Sequence, residues 1–157
     1  MSLYVPDAGA MDALGRELSH PASWRGVVWL QGDLGAGKTT LVRSLLRGLG
    51  YEGRVKSPTY TLLEPYELSD RMVYHLDLYR LAAAEELEWL GIRDLLTGDA
   101  LLLVEWPEHG RGVLPEPDLD IVIDYEGEGR RITARAKTLR GEQMLASLPS
   151  LESEITP

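Results

Sequence analysis

The chain has 157 residues, 44% of them hydrophobic and 26% charged, which suits one sizeable core in an ordinary globular protein. Its 25 acidic residues against 16 lysines and arginines give a formal charge of −9, which argues against unaided binding of DNA or RNA, where phosphate neutralisation dominates affinity. There is no cysteine, so disulfides, thiolate catalysis and cysteine-based zinc sites are excluded. No apolar run nears the roughly 20 residues of a membrane span, and no basic-then-apolar secretory leader opens the chain, so a cytoplasmic location is expected.

In chain order, residues 6–19 are expected to be helical. Pro6 suits a first turn, and Met11, Leu14 and Leu18 recur at helical spacing. His20-Pro21 ends that pattern. Val27 to Leu30 is a continuous apolar run, the signature of a strand buried on both faces. A glycine-rich turn follows at Gly32 to Gly37. Thr39 to Leu49 then predicts an amphipathic helix with Leu41, Val42, Leu45, Leu46 and Leu49 on one face. Arg54 to Thr59 is a loop, and strands are expected at Tyr60–Glu67 and Arg71–Tyr79. Ala82–Leu90 predicts a helix stopped by Gly91, and Ile92–Leu96 a second short one. Ala100–Val104 is another fully apolar strand, Pro107–Pro117 a loop, and Asp120–Tyr125 with Arg130–Ala136 a hairpin around Glu126 to Gly129. The last dozen residues are weakly patterned and suggest a short helix with a frayed tail. Two solidly apolar strands imply an α/β sheet covered on both faces, and the hairpins imply antiparallel strands at its edges.

Gly32-Asp33-Leu34-Gly35-Ala36-Gly37-Lys38-Thr39 fits G-x-x-x-x-G-K-[ST] without a mismatch. The glycines let the backbone curl so that its N–H groups surround phosphate oxygens, and the helix that starts here turns its free N–H groups and dipole on the same anion. In this motif Lys38 reaches the β- and γ-phosphates and the Thr39 hydroxyl ligates Mg²⁺. A strand before the loop and a helix after it supply the context that a chance glycine cluster lacks.

Such a site needs an acid at the end of a neighbouring strand as a second anchor for magnesium. Glu105 ends Leu101-Leu102-Leu103-Val104, and Asp77 ends Met72-Val73-Tyr74-His75-Leu76. Glu105 has the cleaner apolar context, and either could equally be a solvated strand-end acid. Thr59, on a proline-fixed loop, reads on spacing alone as an ordinary loop threonine. Trp106 reads more readily as core than as pocket. His20, His75 and His109 have no metal-ligand spacing, although His75 and Asp77 fall on one strand face. Glu85, Glu86 and Glu88 read as a solvated helix face.

Taken together, the phosphate loop (residues 32 to 40), Lys56-Ser57-Pro58-Thr59-Tyr60, His75-Leu76-Asp77-Leu78-Tyr79-Arg80, the run from Glu85 to Ile92 and Val104-Glu105-Trp106-Pro107-Glu108 resemble the TsaE (formerly YjeE) family. These are bacterial P-loop ATPases required for threonylcarbamoyladenosine (t6A) synthesis on tRNA. The resemblance runs from about Pro6 to Ala136; Leu76 stands where an aromatic residue is common, and the sequence after Thr138 matches no motif. It implies a single-domain, three-layer P-loop NTPase spanning 1–157, with a core at about 6–137, a variable tail at 138–157 and a mainly parallel central sheet. It implies slow, Mg²⁺-dependent ATP hydrolysis in concert with TsaD and TsaB, which hold the tRNA and modify adenosine 37 where ANN codons are read. It also implies site roles. The loop residues Gly32, Asp33, Leu34, Gly35, Ala36 and Gly37, with Lys38 and Thr40, would hold the phosphates. Thr39 would bind Mg²⁺, Thr59 would act as a switch, Lys38, Asp77 and Glu105 would be catalytic, and Trp106 would move to the nucleotide pocket. Asp77 and Glu105 both remain candidates for direct contact with the metal.

A small-molecule P-loop kinase is the main alternative. It requires an acceptor pocket and an arginine-bearing lid, and Arg111, Arg130 and Arg131 form no arginine-rich helix. A GTPase-like switch is disfavoured, because Asn-Lys-x-Asp is impossible in a chain without asparagine, and an Asp-x-x-G at Asp124 to Gly127 lies in the late hairpin, in the wrong order.

Overall fold

The structure, a computed structural model, describes residues 1–146. Along the chain come β1 (Ser2–Val5), α1 (Ala8–Leu18), β2 (Gly26–Gln31), α2 (Lys38–Gly48), β3 (Leu63–Glu67), β4 (Met72–Asp77), α3 (Glu85–Trp89), α4 (Ile92–Leu95), β5 (Leu101–Glu105), β6 (Leu119–Glu126), β7 (Gly129–Ala136) and α5 (Leu139–Ala146). One mixed sheet joins all seven strands in the order β1-β7-β6-β2-β5-β4-β3. Its centre, β6-β2-β5-β4, is parallel, and the outer pairs β1–β7, β6–β7 and β3–β4 are antiparallel.

Strand alternation distributes the core between two layers. Val28 and Leu30 of β2, with Leu101 and Leu103 of β5, join Leu14, Leu41 and Leu45 beneath α1 and α2. Val27 of β2, with Leu102 and Val104 of β5, faces the opposite way and packs with Leu87, Ile92 and Leu114. Leu101 to Val104 are wholly buried, which explains why these strands read as unbroken apolar runs. The result is the three-layer α/β architecture expected from the sequence.

Several boundaries differ from expectation. β1 is too short to stand out in the sequence and pairs with β7 in the register Leu3↔Ile132. The helix that follows starts after Pro6, because the Asp7 side chain accepts the Ala10 N–H at 2.8 Å and caps it. Tyr60 to Leu62 do not join β3. Leu62 takes a left-handed φ of 71° and its N–H closes a turn on the Pro58 carbonyl. The helix expected at Ala82–Leu90 is confined to α3, since the Glu86 carboxylate captures the Ala82 and Ala83 N–H groups and fixes the preceding turn. Pro107–Gly110 is a 3₁₀ turn within the expected loop. α5 begins before the weakly patterned terminus, which apart from Ala146 lies outside the described residues. Among the described residues no helix is long and apolar enough to cross a membrane.

α1 and α2 cross at Gly15. A Cβ there would lie 1.8 Å from Ser44 Oγ, 2.6 Å from Ser44 Cβ and 3.2 Å from the Leu41 carbonyl, so glycine is kept mid-helix despite its poor propensity. Gly15→Ala is therefore expected to destabilise by about 1–3 kcal/mol, read as a lower urea midpoint. Adding Ser44→Ala should recover only part of the loss, because the Ser44 Cβ itself obstructs.

Candidate nucleotide site

β2 delivers the chain to Gly32 at its carboxyl end, and α2 begins at Lys38. Gly37, at the helix N-cap, has φ 113°, a left-handed conformation that a side chain would strain. The loop so formed leaves backbone donors unused. Among the described residues, none supplies an acceptor to the N–H groups of Gly35, Gly37, Lys38, Thr39 and Thr40. Five adjacent donors at the positive end of a helix form an anion cradle.

Sheet register places two carboxylates opposite it. Leu30 at the end of β2 pairs with Glu105 of β5, which pairs with Asp77 of β4. Because alternate residues share a face, Glu105 follows Leu101 and Leu103 onto the α2 side, and Asp77 and His75 follow Val73. Glu105, only 2% exposed, is shared between two neighbours. Thr39 Oγ1 lies 3.3 and 3.4 Å from its two oxygens, and the buried His75 Nε2 lies 2.6 Å from Oε2. Asp77 accepts the Tyr79 N–H at 3.0 Å. His75 thus sits on the expected face, but its partner is Glu105 on the neighbouring strand.

Lys38 folds back over its own loop. Its ammonium donates to the Gly32 carbonyl and lies 3.7 Å from the centre of the Trp106 ring. Trp106 has a left-handed φ of 57° between Glu105 and Pro107, an outlier that costs about 1–3 kcal/mol for a non-glycine residue. The twist carries the ring off the strand line and over the lysine, where it also stacks on His109 at 5.6 Å and meets Tyr79 at 5.1 Å.

The charges here are poorly solvated. Burial lowers the Lys38 pKa from its ordinary 10.5, although Glu105 and Asp77 pull the other way. Burial likewise raises the Asp77 carboxyl above 3.8, opposed by the Tyr79 N–H and reinforced by Glu105. Thr39, Glu105 and Asp77 offer only oxygen donors, which suits a hard cation. Among the described residues no group of three His, Asp or Glu side chains makes a self-sufficient cage. Magnesium fits that pattern, because it is commonly held by one or two carboxylates together with substrate phosphates and water.

A cavity of about 380 Å³ connects these groups. Lys38, Thr39, Thr40, Asp77, Glu105 and Trp106 all line it, as do Leu34, Gly35, Gly37 and Thr59. Gly32, Asp33 and Ala36 do not: Gly32 and Asp33 border a neighbouring hollow, and the Ala36 side chain is buried. A second hollow of about 170 Å³ continues past Gly35, Gly37 and Thr40 towards Met11 and Arg130. Two lining residues escaped the sequence reading, Tyr79 and Arg80. Their signal was adjacency to Asp77. Arg80 lies 4.7 Å from the Tyr60 ring and has no carboxylate partner among the described residues.

Because the folded chain favours protonated Asp77, its carboxylate lowers stability above the raised pKa, and the penalty disappears as pH falls towards the unfolded value. Asp77→Asn is therefore expected to raise the melting temperature of the nucleotide-free protein at pH 7. The gain should shrink towards pH 4 in a pH series of thermal melts.

Comparison with known proteins identifies the family. The sequence model of the family described as "Threonylcarbamoyl adenosine biosynthesis protein TsaE" matches residues 5–133. The tRNA threonylcarbamoyladenosine biosynthesis protein TsaE of Haemophilus influenzae is 45% identical over 152 residues, covering 94% of this chain and 96% of its own. The protein of the same name from Bacillus subtilis is 39% identical over 78% of this chain and 77% of its own. Among solved structures, the crystal structure of Bacillus subtilis YdiB superposes with a TM-score of 0.77 at 29% identity, covering 94% of this chain and 93% of that one. With a family match spanning nearly the whole described sheet and relatives this similar over most of their length, the chain belongs to the TsaE family.

Proposed function

We propose that this chain binds Mg²⁺-ATP and hydrolyses it slowly in the synthesis of threonylcarbamoyladenosine on tRNA, the process for which its relatives are named. The observation that carries this reading is the convergence of five acceptor-free amides, Lys38, Thr39 and two strand-end carboxylates on one cavity. The loop amides would receive the phosphate oxygens, with Thr40 at the α-phosphate end. The hollow beyond Gly35 and Gly37 would take the nucleoside. Lys38 would exchange the Gly32 carbonyl and the Trp106 face for phosphate oxygens, regaining the charge stabilisation that burial withholds.

Thr39 and Glu105 would hold the magnesium ion, with Asp77 beside it at the same sheet level. Bound there, the ion would offset negative charge on the β- and γ-phosphates. His75 would keep Glu105 in place through its 2.6 Å contact. Asp77, whose carboxylate burial makes more basic than an exposed one, would orient the attacking water and accept its proton. Thr59, at the cavity edge on its proline-fixed loop, would report whether the γ-phosphate is present.

An acidic subunit fits a role on an assembly whose other members hold RNA. We assign TsaD and TsaB to those members, with adenosine 37 of tRNAs reading ANN codons as the modified site and ATP turnover driving their cycle. Cytoplasmic tRNA chemistry is consistent with a cysteine-free chain.

Lys38→Ala should weaken ATP binding in calorimetry and abolish turnover. Glu105→Gln should retain nucleotide affinity without magnesium and lose the magnesium-dependent rate by about 10²–10³-fold; an unchanged rate would move the role to Asp77. Phosphorus NMR should show inorganic phosphate as the product, faster with TsaD, TsaB and tRNA added. Transfer of the phosphoryl group to another acceptor would instead establish a kinase.

A further inference from the structure

The phosphate loop is gripped on its outer side by the β6–β7 hairpin. Tyr125 Oη donates to the Leu34 carbonyl at 2.7 Å. Arg130 Nε donates to the Ala36 carbonyl at 3.1 Å, and its Nη2 reaches the Gly35 carbonyl at 3.4 Å. Two side chains therefore hold three consecutive carbonyls. They also hold each other, with the Arg130 guanidinium 4.1 Å from the centre of the Tyr125 ring. Arg130 Nη1 is anchored on the Gly129 carbonyl at 2.9 Å, and among the described residues no carboxylate pairs with this guanidinium. Tyr125 is 51% exposed, so core packing does not account for its position.

The consequence follows from peptide geometry. In a trans peptide the C=O and N–H point in opposite directions, and this chain has no cis peptide among its described residues. Holding the Leu34 and Ala36 carbonyls away from the cavity turns the N–H groups of Gly35 and Gly37 towards it, and both of these lack an acceptor. The intervening Ala36 N–H is taken by the Asp33 carbonyl at 3.1 Å, which closes the turn. We infer that Tyr125 and Arg130 are positioning residues for nucleotide binding, an inference that rests on the nucleotide reading of the cavity. They fix the loop in its anion-binding shape before ligand arrives, so that binding does not have to order it. Neither residue lines the cavity assigned to the phosphates; Arg130 also borders the hollow assigned to the nucleoside, so the response of the loop amides, and not affinity alone, reads the brace.

The test is calorimetry with ATP and with ADP on the full chain and on Tyr125→Phe, Arg130→Ala and Arg130→Lys, alongside amide NMR of the loop. Tyr125→Phe deletes one neutral donor while keeping the ring, and should weaken ADP binding about 2–10-fold. Arg130→Ala removes a charged donor to two carbonyls and should weaken it about 10–100-fold. Arg130→Lys should restore part of that loss. On ADP addition the Gly35 and Gly37 amide signals should move strongly in the parent chain and much less in the weakened variants, whereas the Thr40 signal should move in all of them. The half-exposed Tyr125→Phe should keep its melting temperature, which separates positioning from a general loss of stability. Parent-like affinity and parent-like Gly35 and Gly37 shifts in both Tyr125→Phe and Arg130→Ala would overturn the brace and leave the nucleotide reading intact. No nucleotide binding by the parent chain would overturn both.

Discussion

Unmet hydrogen-bonding capacity at the start of α2 is the condition on which the rest of the molecule turns. Backbone donors are nearly always satisfied in folded proteins, yet here a cluster of them lies together beside a cavity with no internal acceptor. The fold tolerates this because the cluster lines an open cavity and the helix behind it is well packed. α2 is seated on the apolar layer through Leu41, Leu45 and Leu46, and the close approach of α1 at Gly15 keeps it from shifting. The loop is therefore offered to an anion by a scaffold whose stability comes from elsewhere.

Charge arrangement points the same way. Lys38 and Asp77 are each pushed by burial towards their neutral forms, in opposite directions on the pH scale. Two acids and one lysine in a confined space do not neutralise one another fully, and the lysine settles for a carbonyl and an indole face. A polyphosphate accompanied by a divalent cation supplies the missing partners for both signs at once. The site is under electrostatic tension, a common property of functional clefts.

Much of this is legible in the amino-acid sequence. The phosphate loop announces itself by spacing, and the solid apolar runs at Val27–Leu30 and Ala100–Val104 reveal central parallel strands because both faces of such strands are covered. Strand-end position was enough to single out Asp77 and Glu105, since parallel register carries adjacent strand ends to the same level. What stayed hidden depends on three-dimensional neighbours. His75 and Glu105 are 30 residues apart, and Tyr125 and Leu34 are 91 apart, so no local pattern links either pair. Sequence alone weighs Arg130 only as a lid arginine and finds no helix to carry it, while its partners are backbone carbonyls that carry no sequence signature. β1 escapes notice because four residues of edge strand present too short an alternation, and Ala82 to Ala84 read as helical because propensity cannot foresee capture of the Ala82 and Ala83 amides by Glu86.

The position of Trp106 has an optical corollary. Of the four tryptophans, Trp24 is fully buried and Trp89 lies 83% exposed, while among the described residues Trp106 alone has an ammonium over its ring. An indole's excited state responds to a charge placed against its face. When Lys38 leaves that face for another partner, the emission of this one chromophore changes, so the protein carries an intrinsic fluorescent gauge of where its lysine is, readable without any label.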